Sequence, residues 1–202
     1  MEKIALVDID DTSVPVDEIV QQEHQAELKN YPPEATAKGI LNSPYPEIRA
    51  LRQKLIVNPD WIRSLVPYKG TFESYQYLVE NGYQIVVASA RTELVRQATI
   101  DCFNKFGLAQ FVKRYIFRST PRLDVQDFKL GINQHLQPEV TFEDNGLVGQ
   151  RLAEGKKLVY IIQKPWNQGV VEGDHLRLCS SLYHGVTDFL SRLTPSPYNQ
   201  IP

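Results

Sequence analysis

The sequence predicts an α/β fold with a mostly parallel central sheet flanked by helices. Three observations carry that prediction. Short continuous apolar runs recur along the chain, helical patterns separate them, and the first run ends directly in acidic residues. An unbroken apolar run suits a strand buried on both faces, as in a parallel sheet; a strand with one wet face would alternate. The runs are Ile4-Ala5-Leu6-Val7, Ile85-Val86-Val87-Ala88, Val140-Thr141-Phe142 and Leu158-Val159-Tyr160-Ile161-Ile162, with a weaker one at Tyr115-Ile116-Phe117. Strands that alternate with helices are joined by right-handed crossovers, which put helices on both faces of one sheet.

After the first run, residues 13–67 break the rhythm. They contain no convincing strand but several helical pieces, over 16–29 and 45–55, and a short turn opened by Asn58-Pro59-Asp60. Proline at the first helical position behind an Asn cap is a start signal. Tyr31-Pro32-Pro33 and Ser43-Pro44-Tyr45-Pro46 read as turns between the pieces. This stretch is expected to be a helical lid, with residues 1–12 and 68–193 forming the core domain. In the core, 70–80 places Phe72, Tyr75, Leu78 and Val79 on one helical face and stops at Asn81-Gly82. The next helix is expected over 92–106, capped by Thr92, carrying Leu94, Val95, Ala98, Cys102, Phe103 and Phe106, and stopped by Gly107. Shorter helices are expected over 127–136 and 146–153, and a last one over 182–193. Residues 194–202 read as an irregular tail.

The chain has 202 residues, 42% hydrophobic and 23% charged, the balance of a globular protein with a real core. Its formal charge of -2 spreads no basic field over the surface, so a stable nucleic-acid complex is not expected. No apolar run approaches the length of a membrane span, and the apolar start is too short for a signal peptide. The expected location is the cytoplasm, and the sequence is compatible with a homodimer. Cys102 and Cys179 lack metal-ligand spacing and read as free thiols. The histidines at 24, 135, 175 and 184 show no zinc-site spacing either.

Chemistry concentrates at Val7-Asp8-Ile9-Asp10-Asp11-Thr12. Side chains two apart on a strand share a face, so Asp8 and Asp10 can converge. Like charges so close repel, and a hard divalent cation that takes oxygen ligands relieves the repulsion. In open α/β sheets, ligands bind beyond the carboxyl ends of the strands, where this segment lies. One aspartate here would more often be a helix cap. Three, followed by a threonine, favour a site.

Asp8-Ile9-Asp10-Asp11-Thr12 resembles the first motif of the haloacid-dehalogenase superfamily, Asp-x-Asp-x-Thr after a hydrophobic strand. The later motifs follow in order. Ser89 ends the second run, with Ala90-Arg91 behind it. Lys129 lies 14 residues before Glu143 and is the best match to the motif lysine, with Lys113, Arg114 and Arg122 as rivals. Glu143-Asp144 end the next strand. The resemblance spans about residues 3 to 165. It implies a Rossmann-like core and a two-step phosphoryl transfer. Asp8 would be the nucleophile, forming an aspartyl-phosphate. Asp10 would be the general acid and then the base. Lys129 would balance charge on Asp8 and the phosphoryl group. Magnesium would be held by Asp8, by Asp10 through its backbone carbonyl, and by Asp144, with Glu143 a ligand or an orienting partner. Thr12, Ser89, Ala90 and Arg91 would hold the phosphate, although Arg91 equally fits a surface ion pair.

Within that superfamily the chain looks most like the 5'(3')-deoxyribonucleotidase-like nucleotidases. The segment from Asn58 to Gly70, containing Leu65-Val66-Pro67-Tyr68-Lys69-Gly70, and the later Pro165-Trp166-Asn167 carry the likeness. The resemblance implies a small-molecule phosphate ester, a nucleoside monophosphate first. Trp61, Tyr31 and Tyr45 are candidates to stack on a base, though each also fits lid packing. Two features depart from the pattern: Asp11 stands where glycine is commonest, and Thr12 where these nucleotidases often place a bulky residue. Competing readings are a phosphatase for another small ester, a phosphatase for polynucleotide ends served by Lys113, Arg114, Arg118 and Arg122, and a non-catalytic binding protein. Intact Asp8, Asp10, Ser89 and Asp144 speak against the last.

Overall fold

The first apolar run becomes β1 (Lys3–Val7), which lies inside a six-stranded parallel sheet. A computed structural model describes residues 2–193 of the chain, so the expected tail lies outside the described residues. The other strands are β2 (Tyr83–Thr92), β3 (Val112–Arg118), β4 (Val140–Glu143), β5 (Val159–Ile162) and β6 (Leu176–Cys179). Their order is β3-β2-β1-β4-β5-β6, and every pairing is parallel. The chain winds outward from β1 to β3, then returns to the other side of β1 with β4. That reversal opens a crevice at the carboxyl ends of β1 and β4, the switch point where such sheets bind ligands.

The period of two along β1 sorts its side chains. Ala5 and Val7 enter the large core on one face with Ile85, Val87, Phe142 and Tyr160. Leu6 points the other way, to Val86 and Ala88. The large core is covered by α5 (Thr71–Glu80), α6 (Arg96–Lys105) and α9 (Leu182–Leu193), through Tyr75, Phe103 and Phe189 among others. The opposite face is covered by α7 (Val125–Leu136) and α8 (Gly146–Glu154). α8 rides close on β5: a Cβ built on Gly149 would lie 2.2 Å from Ile161 Cδ1, so any larger residue there would force Ile161 to shift.

The insertion is helical, as expected: α1 (Val16–Glu23), α2 (Gln25–Leu28), α3 (Pro46–Leu55) and α4 (Pro59–Ser64), with no strand among its described residues. Asn58 caps α4, accepting from the backbone N–H groups of Asp60 (3.0 Å) and Trp61 (3.3 Å). The single helix expected over 16–29 is broken at His24, whose φ of -104° and ψ of 18° interrupt the ladder. Val14, Val16, Val20, Ile40, Ile48 and Ile62 belong to the same hydrophobic cluster as the large core. The insertion is therefore packed against the core, and burying its apolar face against the sheet's helices is what holds it there.

Other elements moved. Thr92 ends β2 and makes no side-chain cap; a short 3-10 turn (Glu93–Val95) precedes α6. α7 begins earlier than expected, because Asp124 caps it by accepting from Gln126 (2.8 Å) and Asp127 (3.1 Å). β6 was not legible: Leu-Arg-Leu-Cys is a short edge strand with two half-buried positions, so it shows no continuous apolar run. Both cysteines are buried and free. Among the described residues no helix is long and apolar enough to cross a membrane.

Candidate active site at the carboxyl end of the sheet

The acidic residues leave β1 and β4 at the switch point. Asp8 follows the last residue of β1, and its backbone N–H donates to the Phe142 carbonyl of β4 (3.0 Å). Glu143 ends β4 and Asp144 follows it. Asp8, Glu143 and Asp144 each offer a carboxylate oxygen, and these atoms lie within 4.8 Å of one another. Lys129 rises from the first turns of α7 into this group. Its Nζ donates to Asp8 Oδ1 (2.5 Å), to Glu143 Oε2 (2.9 Å) and to the Ala88 carbonyl (2.7 Å). All three ammonium donors are thus used, which makes a buried lysine tolerable. The rivals Lys113, Arg114 and Arg122 are exposed.

Three carboxylates around one ammonium leave an excess of two negative charges. Burial, then Glu143, pushes the Asp8 carboxyl up to about 8, against the pull of Lys129. Burial and the neighbouring carboxylates also hold Asp144 well above the usual range. Carboxylate oxygens with this excess suit a hard divalent cation such as magnesium. Asp8, Glu143 and Asp144 are the residues fitted to hold one. Trp166 Nε1 donates to Asp144 Oδ2 (2.9 Å), and Asn167 Nδ2 donates to the Asp144 carbonyl (2.7 Å). The Pro-Trp-Asn segment therefore orients one of the three carboxylates.

Asp10 lies apart from this cation-binding group. Arg91 Nε donates to Asp10 Oδ1 at 2.9 Å and its Nη2 lies 2.7 Å from the same oxygen, while Arg52 Nη2 stands 3.6 Å from Oδ2. Burial alone would raise the Asp10 carboxyl, but Arg91 and Arg52 outweigh it and hold it below its ordinary value. The carboxylate of Asp10 is thus engaged by arginine, which leaves its backbone carbonyl as the group expected to face a metal, while Glu143 joins Asp8 and Asp144 among the converging carboxylate oxygens.

Arg52 is the residue sequence reasoning missed. It reaches from α3 to Asp10, to Asp11 (3.8 Å) and to Asp17 (3.6 Å). Its one sequence signal is position: it sits four residues after buried Ile48, on the same face of the helix. Asp17, also missed, accepts from the Ile40 backbone N–H (2.6 Å) and is almost fully buried. Asp11 adopts φ 60°, a left-handed conformation that favours glycine. Its side chain compensates by accepting from the Asp17 N–H (2.8 Å).

A cavity of about 380 Å³ opens over these groups. Of the four residues expected to hold phosphate, only Ala90 lines it. Ser89 and Thr12 are buried, and Ser89 Oγ accepts from the Arg91 backbone N–H (3.2 Å). The Arg91 guanidinium is engaged by Asp10 and by Thr99 Oγ1 (3.0 Å), in a buried ion pair in place of the surface one expected. Trp61, Tyr31 and Tyr45 do not line the cavity. Trp61 donates to Glu23, and Tyr31 meets Tyr45 edge-on at 5.2 Å. The aromatic residue in the wall is Trp166, whose ring lies against Gly39: a Cβ there would stand 2.6 Å from Trp166 Cε3.

No protein-family model matches the chain, and no curated protein matches it. Solved structures do. A haloacid dehalogenase-like hydrolase from Streptococcus pneumoniae aligns with a TM-score of 0.62 at 12% identity, over 95% of this chain and 98% of that one. D,D-heptose 1,7-bisphosphate phosphatase from B. bronchiseptica, complexed with magnesium and phosphate, aligns at 0.57 and 12% identity, over 94% and 99%. L-2-haloacid dehalogenase from Xanthobacter autotrophicus aligns at 0.57 and 11% identity, over 96% and 100%. The chain shares the α/β, Rossmann-like fold of these haloacid-dehalogenase-type neighbours, which include phosphatases and dehalogenases.

Proposed function

We propose that the protein is a magnesium-dependent phosphomonoester hydrolase that works through an aspartyl-phosphate on Asp8, with nucleoside monophosphates as the first substrate class. One observation carries this reading: Asp8, Glu143 and Asp144 converge at the switch point around the buried ammonium of Lys129. The magnesium and phosphate of the heptose bisphosphate phosphatase neighbour, and the place of this group in the shared fold, support it.

Asp8 attacks phosphorus and releases the alcohol, and water then hydrolyses the acyl phosphate. Lys129 fixes the Asp8 carboxylate by one oxygen and offsets charge as the nucleophile approaches. Magnesium, when bound, offsets phosphate charge and aligns the group for in-line attack. Asp8, Glu143 and Asp144 would offer it carboxylate oxygens, and Trp166 orients Asp144 for that role. Asp10 is assigned the proton transfers. Its two arginines favour the ionised form, which suits accepting a proton from water and works against donating one to the leaving oxygen.

The fold also serves dehalogenases, so chemistry must decide. The test is phosphate release from ribo- and deoxynucleoside monophosphates, sugar phosphates and a phosphorylated oligonucleotide, with magnesium or EDTA. Asp8-dependent release that EDTA abolishes and magnesium restores is expected, strongest on nucleotides. Release from another ester class alone would discard the nucleotide assignment, and chelator-resistant release would discard the metal.

A further inference from the structure

The short turn after β5 is gripped by the insertion on one side and holds Asp144 on the other. It is Pro165–Asn167, led by Lys164. Trp166 Nε1 donates to Asp144 Oδ2 (2.9 Å), and Asn167 Nδ2 donates to the Asp144 and Ile162 carbonyls (2.7 and 2.8 Å). Two contacts bring the insertion onto this turn. Gly39, at φ +80°, lies so close to the indole that a Cβ would stand 2.6 Å from Trp166 Cε3 and 2.8 Å from Asp17 Oδ2. That same Asp17 oxygen accepts the Ile40 backbone N–H (2.6 Å), which fixes the loop at this approach. Lys164 Nζ donates to Glu18 Oε1 on α1 (3.2 Å) and to the hydroxyl of Tyr68, just past the insertion. The Tyr68 hydroxyl in turn donates to the same Glu18 oxygen (2.8 Å).

Resting on the reading that Asp8, Glu143 and Asp144 hold a divalent cation, we infer that this turn couples the seating of the insertion to the affinity for that cation, with Gly39 and Trp166 as positioning residues. The indole is a rigid plate. Its six-membered ring meets Gly39 and its N–H meets Asp144, so displacing one end displaces the other. With the insertion seated, the Asp144 carboxylate stays aimed at those of Asp8 and Glu143. With the insertion lifted, the indole loses its stop and Asp144 is free to turn away. Partners that orient a metal-binding side chain typically change metal affinity by about 10- to 100-fold. The coupling is reciprocal: what the seated insertion adds to cation binding, the cation adds to the seating of the insertion. The cation is therefore held tightly only while the insertion covers the cavity that Gly39, Leu41 and Asn42 help to wall.

The test uses the full chain with magnesium alone as the ligand. Calorimetry reads magnesium affinity, and amide hydrogen exchange reads the exposure of residues 36–45 with and without the ion. Gly39→Ala should weaken binding by about tenfold with an unchanged circular-dichroism spectrum. Glu18→Gln, which loosens the second grip, should weaken it by about threefold. Trp166→Phe keeps a ring and loses the donor to Asp144. In that background Gly39→Ala should weaken binding by less than about twofold, because the connection is already cut. Magnesium should slow exchange of residues 36–45 by about threefold or more in the wild-type protein and not in Trp166→Phe. Wild-type affinity in folded Gly39→Ala, or its full tenfold loss in the Trp166→Phe background, overturns the inference. Magnesium binding that leaves the exchange of residues 36–45 unchanged also overturns it, and spares the cation reading. Should Gly39→Ala fail to fold, Glu18→Gln and the exchange measurement decide alone. A wild-type protein that binds no magnesium removes the cation reading and this inference together.

Discussion

Two groups of carboxylates stand side by side at the carboxyl end of the sheet, and they are neutralised by different means. Asp8 and Glu143 share one buried cation, Lys129, and the Asp144 carboxylate converges on them from beside it. Asp10, Asp11 and Asp17 share two, Arg52 and Arg91. The first group keeps an excess of negative charge and oxygens aimed at one point. The second is nearly balanced and ties the insertion to the loop after β1. The difference separates a group that keeps excess negative charge from one that also anchors the insertion, although aspartates of both lie only a few residues apart in sequence and line one cavity.

The largest expected effect breaks the first group. Asp8→Asn keeps the shape of the side chain and should lower phosphate release by about 10³-fold or more while leaving the circular-dichroism spectrum unchanged. The second group should respond in the opposite currency. Arg52→Met leaves buried carboxylates uncompensated and should cost about 3 kcal/mol in urea unfolding. A loss near zero would mean that the arginine is solvated and that the insertion is held by packing alone.

Protonation sharpens the contrast. Without metal, burial and Glu143 push the folded Asp8 carboxyl up to about 8 from its ordinary 3.8, so the folded state binds more protons across that window. Stability should therefore fall as pH rises from about 4 to about 8, and magnesium should restore it at the upper end. Asp8→Asn should flatten that slope, as thermal melts in chelator would show. Asp10, held low by its arginines, contributes in the other sense: its stabilisation is present above the ordinary carboxylate range and is lost on acidification. The smallest effect concerns orientation. Trp166→Phe removes the donor to Asp144 and should weaken magnesium binding by about tenfold in calorimetry with little change in melting temperature.

Much of the first group was legible because it is local. Strand runs that end in acid announce Asp8 and Glu143-Asp144, and spacing before the second pair points to Lys129. The assembly of the second group was not legible. Arg52 and Asp17 meet Asp10 and Asp11 only because the insertion folds back onto β1, and no local pattern encodes that return. The same reason accounts for Arg91, whose partner lies 81 residues away in sequence, and for the lid aromatics, which pack against the insertion's own residues. Pro165-Trp166-Asn167 stood out in sequence, but its grip on Asp144 needed the geometry.

The central claim is that Asp8 carries the phosphoryl group. The most direct measurement is to quench turnover of p-nitrophenyl phosphate with acid, reduce the acyl phosphate with borohydride, and locate the modified residue by peptide mass spectrometry. Modification of Asp8, absent in Asp8→Asn and absent without substrate, is the predicted result. Modification of another residue, or steady turnover with no covalent adduct at any quench time, would contradict the account.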